Sequence, residues 1–167
     1  MFRVIRAALQ AARERLGLRL VHFSVQSNHL HLLVEANDRR ALGRGVQGLA
    51  IRVAKAINRR LGRRGRVFGD RYHARALKTP RDARFALRYV LLNAGKHERG
   101  TGCVPPGFVD RCSSAAWFDG WSRPRELVFG ARMAGHGEPP VVLPRTWLLR
   151  AGFKRAGPID VDDAPAG

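Results

Sequence analysis

His29 and His31 lie two residues apart in the run Ser27-Asn28-His29-Leu30-His31-Leu32-Leu33-Val34-Glu35. Side chains alternate across a β-strand, so both imidazoles point to one face while Leu30, Leu32 and Val34 point to the other. One face is built for a core and the other carries two nitrogen ligands, an arrangement suited to a metal ion. Farther along, Phe85, Tyr89, Asn93 and His97 recur every four residues and so share one face of a helix. Tyr89 and Asn93 sit one turn apart and look at the same point in space, and Tyr89 offers a hydroxyl that can complete the chemistry. Each signal has a plain structural counterpart. A histidine pair on a solvent-facing strand is often idle, and a tyrosine on an amphipathic helix usually packs with its hydroxyl satisfied.

The surrounding elements must position these groups. Residues 2–16 read as a helix, with Ile5, Ala8, Leu9, Ala12 and Leu16 as its apolar stripe and Gly17 as its C-terminal cap. Residues 18–26 read as a strand: Leu18, Leu20, His22, Ser24 and Gln26 face one way, and Arg19, Val21, Phe23 and Val25 the other. Ser27-Asn28 turns the chain into the histidine strand, 29–36, closing a hairpin. Residues 39–61 form a long helix through Leu42, Val46, Leu49, Val53, Ile57 and Leu61, with Arg52, Lys55, Arg59 and Arg63 as a second, basic stripe. Its glycines at 43, 45 and 48 follow no strand and precede no Gly-Lys-Ser/Thr, so they do not make a phosphate loop. After a break at Gly62 to Gly65, Val67 to Leu77 reads as a strand with a bulge at Gly69. Thr79 caps a further helix, with Pro80 at its first position and Asp82 in its first turn, running to about His97.

The charge says what such a site would act on. The 167 residues carry 31 Lys and Arg against 13 Asp and Glu, a net charge of +18, which predicts a polyanionic partner, most simply nucleic acid. The excess is concentrated: residues 39–99 hold 18 basic and 3 acidic residues, around the motif positions. No stretch of about 18 apolar residues exists, so no membrane span is expected. Cys103 and Cys112 fit no zinc spacing and argue for no disulfide framework, reading as reduced cytoplasmic thiols. Beyond Gly100 the chain becomes rich in proline and glycine. Trp117, Phe118, Trp121 and Trp147-Leu148-Leu149 are placed to pack it back, while Asp160 to Gly167 is acidic and reads as disordered.

The order helix, strand, His-x-His strand, basic helix, strand, helix with Tyr-x-x-x-Asn resembles the Y1 transposases of the IS200/IS605 type, which are HUH single-strand DNA endonucleases. Within that group the chain is most similar to the REP-associated tyrosine transposases. The residues carrying the resemblance are Asn28-His29-Leu30-His31-Leu32-Leu33-Val34, Phe68-Gly69-Asp70-Arg71-Tyr72-His73-Ala74-Arg75 and Arg88-Tyr89-Val90-Leu91-Leu92-Asn93. It implies an α+β fold, a ferredoxin- or RRM-like HUH sheet packed with helices. The transposase domain would span residues 1–99, and 100–167 would be an irregular C-terminal extension. Family members begin with a strand before the first helix. This chain starts directly in the helix, so the sheet is expected to lack that strand and to leave backbone groups unpaired beside the histidine strand.

By the same resemblance Tyr89 is the nucleophile, and His29, His31 and Asn93 hold Mg²⁺ or Mn²⁺; Tyr72, the other of the chain's two tyrosines, is the rival nucleophile. Arg52, Lys55, Arg59, Arg63, Arg66, Arg71, Arg75 and Lys96 are expected to hold a single-stranded or hairpin DNA backbone. The implied activity is metal-dependent DNA cleavage and strand transfer through a 5′-phosphotyrosine, in DNA transposition at REP-like hairpins, by a monomer or a homodimer. The alternative is a decayed or domesticated protein that binds nucleic acid without cutting it. A histidine-triad nucleotide hydrolase would need a further histidine at position 33, which is Leu33.

Overall fold

The computed structural model of the chain describes residues 1–92, 108–124 and 138–163. Its elements are α1 (Phe2–Gln10), β1 (Glu14–Arg15), β2 (Leu18–Val25), β3 (Leu30–Ala36), α2 (Arg39–Leu61), α3 (Pro80–Leu92) and α4 (Trp147–Arg150), with 3₁₀ turns at Ala115–Trp117 and Gly152–Ala156. The class is α+β, with one antiparallel sheet in the order β1-β2-β3.

Helix α1 is shorter than its apolar stripe suggests. It stops at Gln10, and Glu14–Arg15 turn back to pair with Leu18 and Arg19. The connection is the two residues Leu16 and Gly17, both with positive φ, 56° and 75°. Two consecutive left-handed residues match the right-handed twist of a two-residue hairpin. Gly17 therefore serves a hairpin turn rather than a helix cap, and the strand pairing it allows overrides the helical periodicity through Leu16.

The main hairpin forms where the alternation predicts, but one extra residue changes which side chains share a face. Leu20 pairs with Val34, and the next pair is His22 with Leu33, so Val21 is bulged out of the ladder. Leu18 and Leu20 consequently share a face with Phe23 and Val25, and Arg19 shares one with His22 and Ser24. The simple alternation had placed His22 with Leu20. Across the ladder, Ser24 lies opposite His31 and Arg19 opposite Glu35.

Helix α2 has the bounds its periodicity gives. The Asp38 side chain accepts from Ala41 N at 2.7 Å at the N-terminus, and Gly62 closes the C-terminus in the left-handed region. The helix approaches β2 closely at Gly45, where a Cβ would lie 2.4 Å from the Leu18 Cβ. Residues 67–77 do not form the expected strand. They run irregularly and largely exposed, joined to no strand of the sheet. Polar residues occupy both alternating sets of this segment (Arg71, His73 and Arg75 on one, Asp70 on the other), so neither face is apolar enough to bury. Helix α3 begins with a reciprocal cap: Asp82 N donates to Thr79 Oγ1 at 3.1 Å, and Thr79 N donates to Asp82 Oδ2 at 3.1 Å.

Two cores sandwich the sheet. On one face α1 and α2 pack with Leu20 and Phe23, flanked by Leu30, Leu32 and Val34. On the other, α3 meets Val21 and Leu33 together with Ala115, Phe118, Trp121, Leu149, Phe153, Ile159 and Val161. The C-terminal part of the chain thus supplies half of one core. It also covers the outer edge of β2: Ser114 N donates to Phe23 O, Val25 N to Cys112 O, and Val142 N to Leu20 O, each at 2.9 Å. Among the described residues, no backbone hydrogen bond reaches the second edge of β3. Asp160 to Asp163, expected to be disordered, are held instead. Asp160 and Asp162 pair with Arg123, and Asp163 with Arg84 and Arg88.

Candidate active site

The sheet face under α3 collects the groups singled out in the sequence. His31 sits on β3 facing α3, and His29 stands at the lip of the hairpin just before the strand. Their Nε2 atoms meet at 2.8 Å. The Asn28 side-chain oxygen lies 2.7 Å from His29 Nδ1. That carbonyl can only accept, so Nδ1 carries the ring proton and the His29 Nε2 lone pair is directed at His31. A single proton between the two Nε2 atoms completes the contact.

Tyr89 reaches the pair because α3 is fixed on its opposite side. Ala83, Leu87, Val90 and Leu91 are buried in the core below, which turns the Phe85–Tyr89 face along the sheet. The Tyr89 ring stands edge-on to His31, with centroids 4.8 Å apart at 75°, and His31 is edge-on to His29 at 4.4 Å. Phe85 follows one turn earlier, its ring nearly parallel to that of Tyr89 at 8° and 6.4 Å away. The four rings form a continuous row from helix to strand.

The floor beside this row is polar, buried and tied to the C-terminal segment. Ser24, opposite His31, donates to Asp110 Oδ2 at 3.1 Å and accepts from Gln26 Nε2 at 2.5 Å, while Cys112 N donates to Asp110 Oδ1 at 2.7 Å. His22 is buried against Phe118, with Nδ1 3.1 Å from Ser114 Oγ. Burial pushes its pKa down to about 3, so it is neutral at ordinary pH and serves the interior. Asp110 and Asn28 were not predicted as contributors. Asp110 lies in a segment without periodicity, while Asn28 was visible only as a turn residue.

The expected DNA-contacting cations divide by what they touch. Arg63 donates through Nε to Asn58 Oδ1 at 3.0 Å, Arg66 donates through Nε to Phe68 O at 2.7 Å, and Arg75 pairs with Asp82 at 2.9 Å. These three shape the 62–82 segment. Arg52, Lys55, Arg59 and Arg71 make no ion pair or side-chain hydrogen bond among the described residues. Arg88, the neighbour of Tyr89, turns toward Asp163. Asn93 and Lys96 lie outside the described residues. Tyr72, the rival nucleophile, lies in the irregular 67–77 segment beside α2. It is 48% exposed, and a Cβ at Gly43 of α2 would lie 3.7 Å from its hydroxyl.

An antiparallel sheet thus carries the paired imidazoles under a tyrosine-bearing helix, and the comparison with known protein families gives the class. The family described as Transposase IS200 like matches residues 3–91, more than half of the chain. The chain belongs to the IS200-like transposases. No curated protein and no solved structure matches it. Membership makes this a transposase-type enzyme whose partner is DNA, in a family that generally depends on a divalent metal. Among the described residues no three His, Cys, Asp or Glu side chains cluster as a metal site, and no helix is long and apolar enough to cross a membrane. The converging Nε2 atoms of His29 and His31 fit a divalent ion in their donor chemistry, two neutral nitrogens with no thiolate.

Proposed function

We propose that this chain cuts and rejoins single-stranded DNA, with Tyr89 as nucleophile and His29 and His31 as metal ligands. The observation that carries the reading is the contact between the histidine pair and Tyr89: Nε2 to Nε2 at 2.8 Å, and His31 to Tyr89 at 4.8 Å between rings. His29 and His31 would hold Mg²⁺ or Mn²⁺, which would supply positive charge to the scissile phosphate. Asn93, four residues after Tyr89 in the sequence, would be the third ligand by its family position.

The protein's own part is placement. Asn28 holds the proton on His29 Nδ1 and thereby keeps Nε2 free. The apolar underside of α3 turns the Tyr89 ring toward His31. Tyr89 loses its proton as its oxygen attacks phosphorus. The bond from phosphorus to the 3′ oxygen breaks, and that oxygen takes up a proton as a 3′-hydroxyl. The downstream strand is left joined to Tyr89 through its 5′ phosphate, and this phosphotyrosine retains the phosphoester bond for transfer to another 3′-hydroxyl. Arg52, Lys55, Arg59 and Arg71 draw in the DNA backbone, and the substrate is a hairpin of the REP-like type. Cleavage takes place in the cytoplasm, on the cell's own DNA.

The test is a covalent-adduct gel with the full chain, hairpin DNA from the flanks of its gene, and Mn²⁺ or Mg²⁺. A metal-dependent, SDS-resistant band that disappears in Tyr89→Phe and His31→Ala and persists in Tyr72→Phe is expected. Persistence in Tyr89→Phe overturns the assignment. A folded protein that shifts DNA with no band in any metal is a binding protein instead.

A further inference from the structure

Phe85 is an apolar side chain in the wrong place for a folding role. It is 44% exposed, it lies outside both cores, and it sits one helical turn from Tyr89 on the face that meets the histidine pair. Its ring is held nearly parallel to the Tyr89 ring, at 8°, with 6.4 Å between centroids. That is an offset-stacked pair, and it still leaves Phe85 44% exposed. The separation is about twice the ~3.4 Å spacing of successive nucleotides along a strand. The protein carries a charge of +18, and a flat exposed ring beside a nucleic-acid site has an obvious flat partner.

We propose that Phe85 is a base-stacking platform: the nucleobase next to the phosphate attacked by Tyr89 lies on the Phe85 ring. The proposal rests on the single-strand DNA reading above and adds a residue that touches substrate. A base stacked there fixes the rotation of the strand about the scissile phosphate, because the ring one turn away is already aligned with the nucleophile's ring. Stacking accepts any base, so Phe85 supplies affinity and orientation and leaves sequence choice to other groups. It requires an unpaired base, which gives the site a preference for single strands over duplex.

The experiment measures binding of the full chain to a labelled single-stranded oligothymidylate by fluorescence anisotropy, without metal so that no cleavage intervenes. The same backbone carrying abasic sites is the second probe. Phe85→Ala is expected to weaken oligothymidylate binding roughly tenfold or more and to leave abasic binding unchanged. Phe85→Trp is expected to retain binding and to lose indole fluorescence on adding the oligothymidylate but not the abasic strand. Equal affinity of Phe85→Ala and the parent protein for oligothymidylate overturns the proposal, as does equal loss on both probes. Circular dichroism shows that each variant is folded. The readout needs no nucleophile. Stacking without a Tyr89 adduct would sink the catalytic reading alone, and an adduct with unaltered Phe85→Ala binding would sink this one alone.

Discussion

At the scale of single residues, the site depends on which nitrogen of each histidine carries a proton. Asn28 decides this for His29 by accepting from Nδ1 at 2.7 Å. Asn28→Ala leaves both tautomers open and the ring free to turn. The Mn²⁺ concentration needed for half-maximal adduct formation is expected to rise about 10- to 100-fold, the usual effect of removing such a supporting partner. An unchanged requirement would show that His29 is oriented by something else. His29, His31 and Tyr89 were legible in the sequence because periods of two and four fix faces without knowledge of the rest of the fold. Asn28 was legible only as a turn residue, since a hydrogen bond to its neighbour's ring leaves no periodic trace. Phe85 was visible as a member of the Tyr89 face, and only its exposure set it apart from a core aromatic.

At the scale of elements, the hairpin turn at Leu16-Gly17 and the helix crossing at Gly45 make opposite predictions. Leu16 holds φ at 56° with its side chain about half exposed, a conformation that costs a β-carbon-bearing residue about 1 kcal/mol. Leu16→Gly is therefore expected to stabilise the fold by up to about 1 kcal/mol, seen as a higher urea midpoint at constant slope. A lower midpoint would mean that the leucine's contacts outweigh its strain. Gly45→Ala should destabilise the fold by about 1–3 kcal/mol, seen as a lower midpoint, because its Cβ would fall on Leu18 and the helix must move away from β2. Helix α2 was legible to the residue because its apolar stripe and Gly62 agree. The faces of β2 were not. A bulge at Val21 inverts the alternation halfway along, and nothing in an unbroken run of strand-forming residues marks it. The strand read at 67–77 failed because polar residues fall on both of its alternating sets and it pairs with no strand of the sheet.

At the scale of the whole molecule, the buried His22 links folding to pH. Its ordinary pKa of 6.5 falls to about 3 in the fold, so between those values the unfolded chain binds more protons than the folded one. Stability is complete above pH 6.5 and is lost as pH falls toward 3. His22→Asn removes this component, and its urea midpoint should fall less between pH 7 and pH 5 than that of the parent protein. Parallel curves would refute the assignment. Glu35 is the anchor for the C-terminal segment: its carboxylate accepts from Arg145 N, Thr146 N and the Thr146 hydroxyl, at 2.7 to 3.1 Å. Burial would raise its pKa, but the Thr146 and Arg145 bonds and the charge of Arg19 hold it low. The sequence showed aromatic residues available to fold this segment back. It did not show that Phe118, Trp121, Phe153 and Ile159 complete the core beneath α3. A chain ending at Leu92 is accordingly expected to show no cooperative unfolding transition. The contacts that close the fold join residues as far apart as Gln10 and Glu138. Synthesis runs from the N-terminus, so the ribosome makes the histidines and the tyrosine long before the residues that seat them. A polypeptide released early therefore carries the histidines and the tyrosine with no core beneath α3 to hold them together, and any work they do waits until residues 108–163 have left the ribosome.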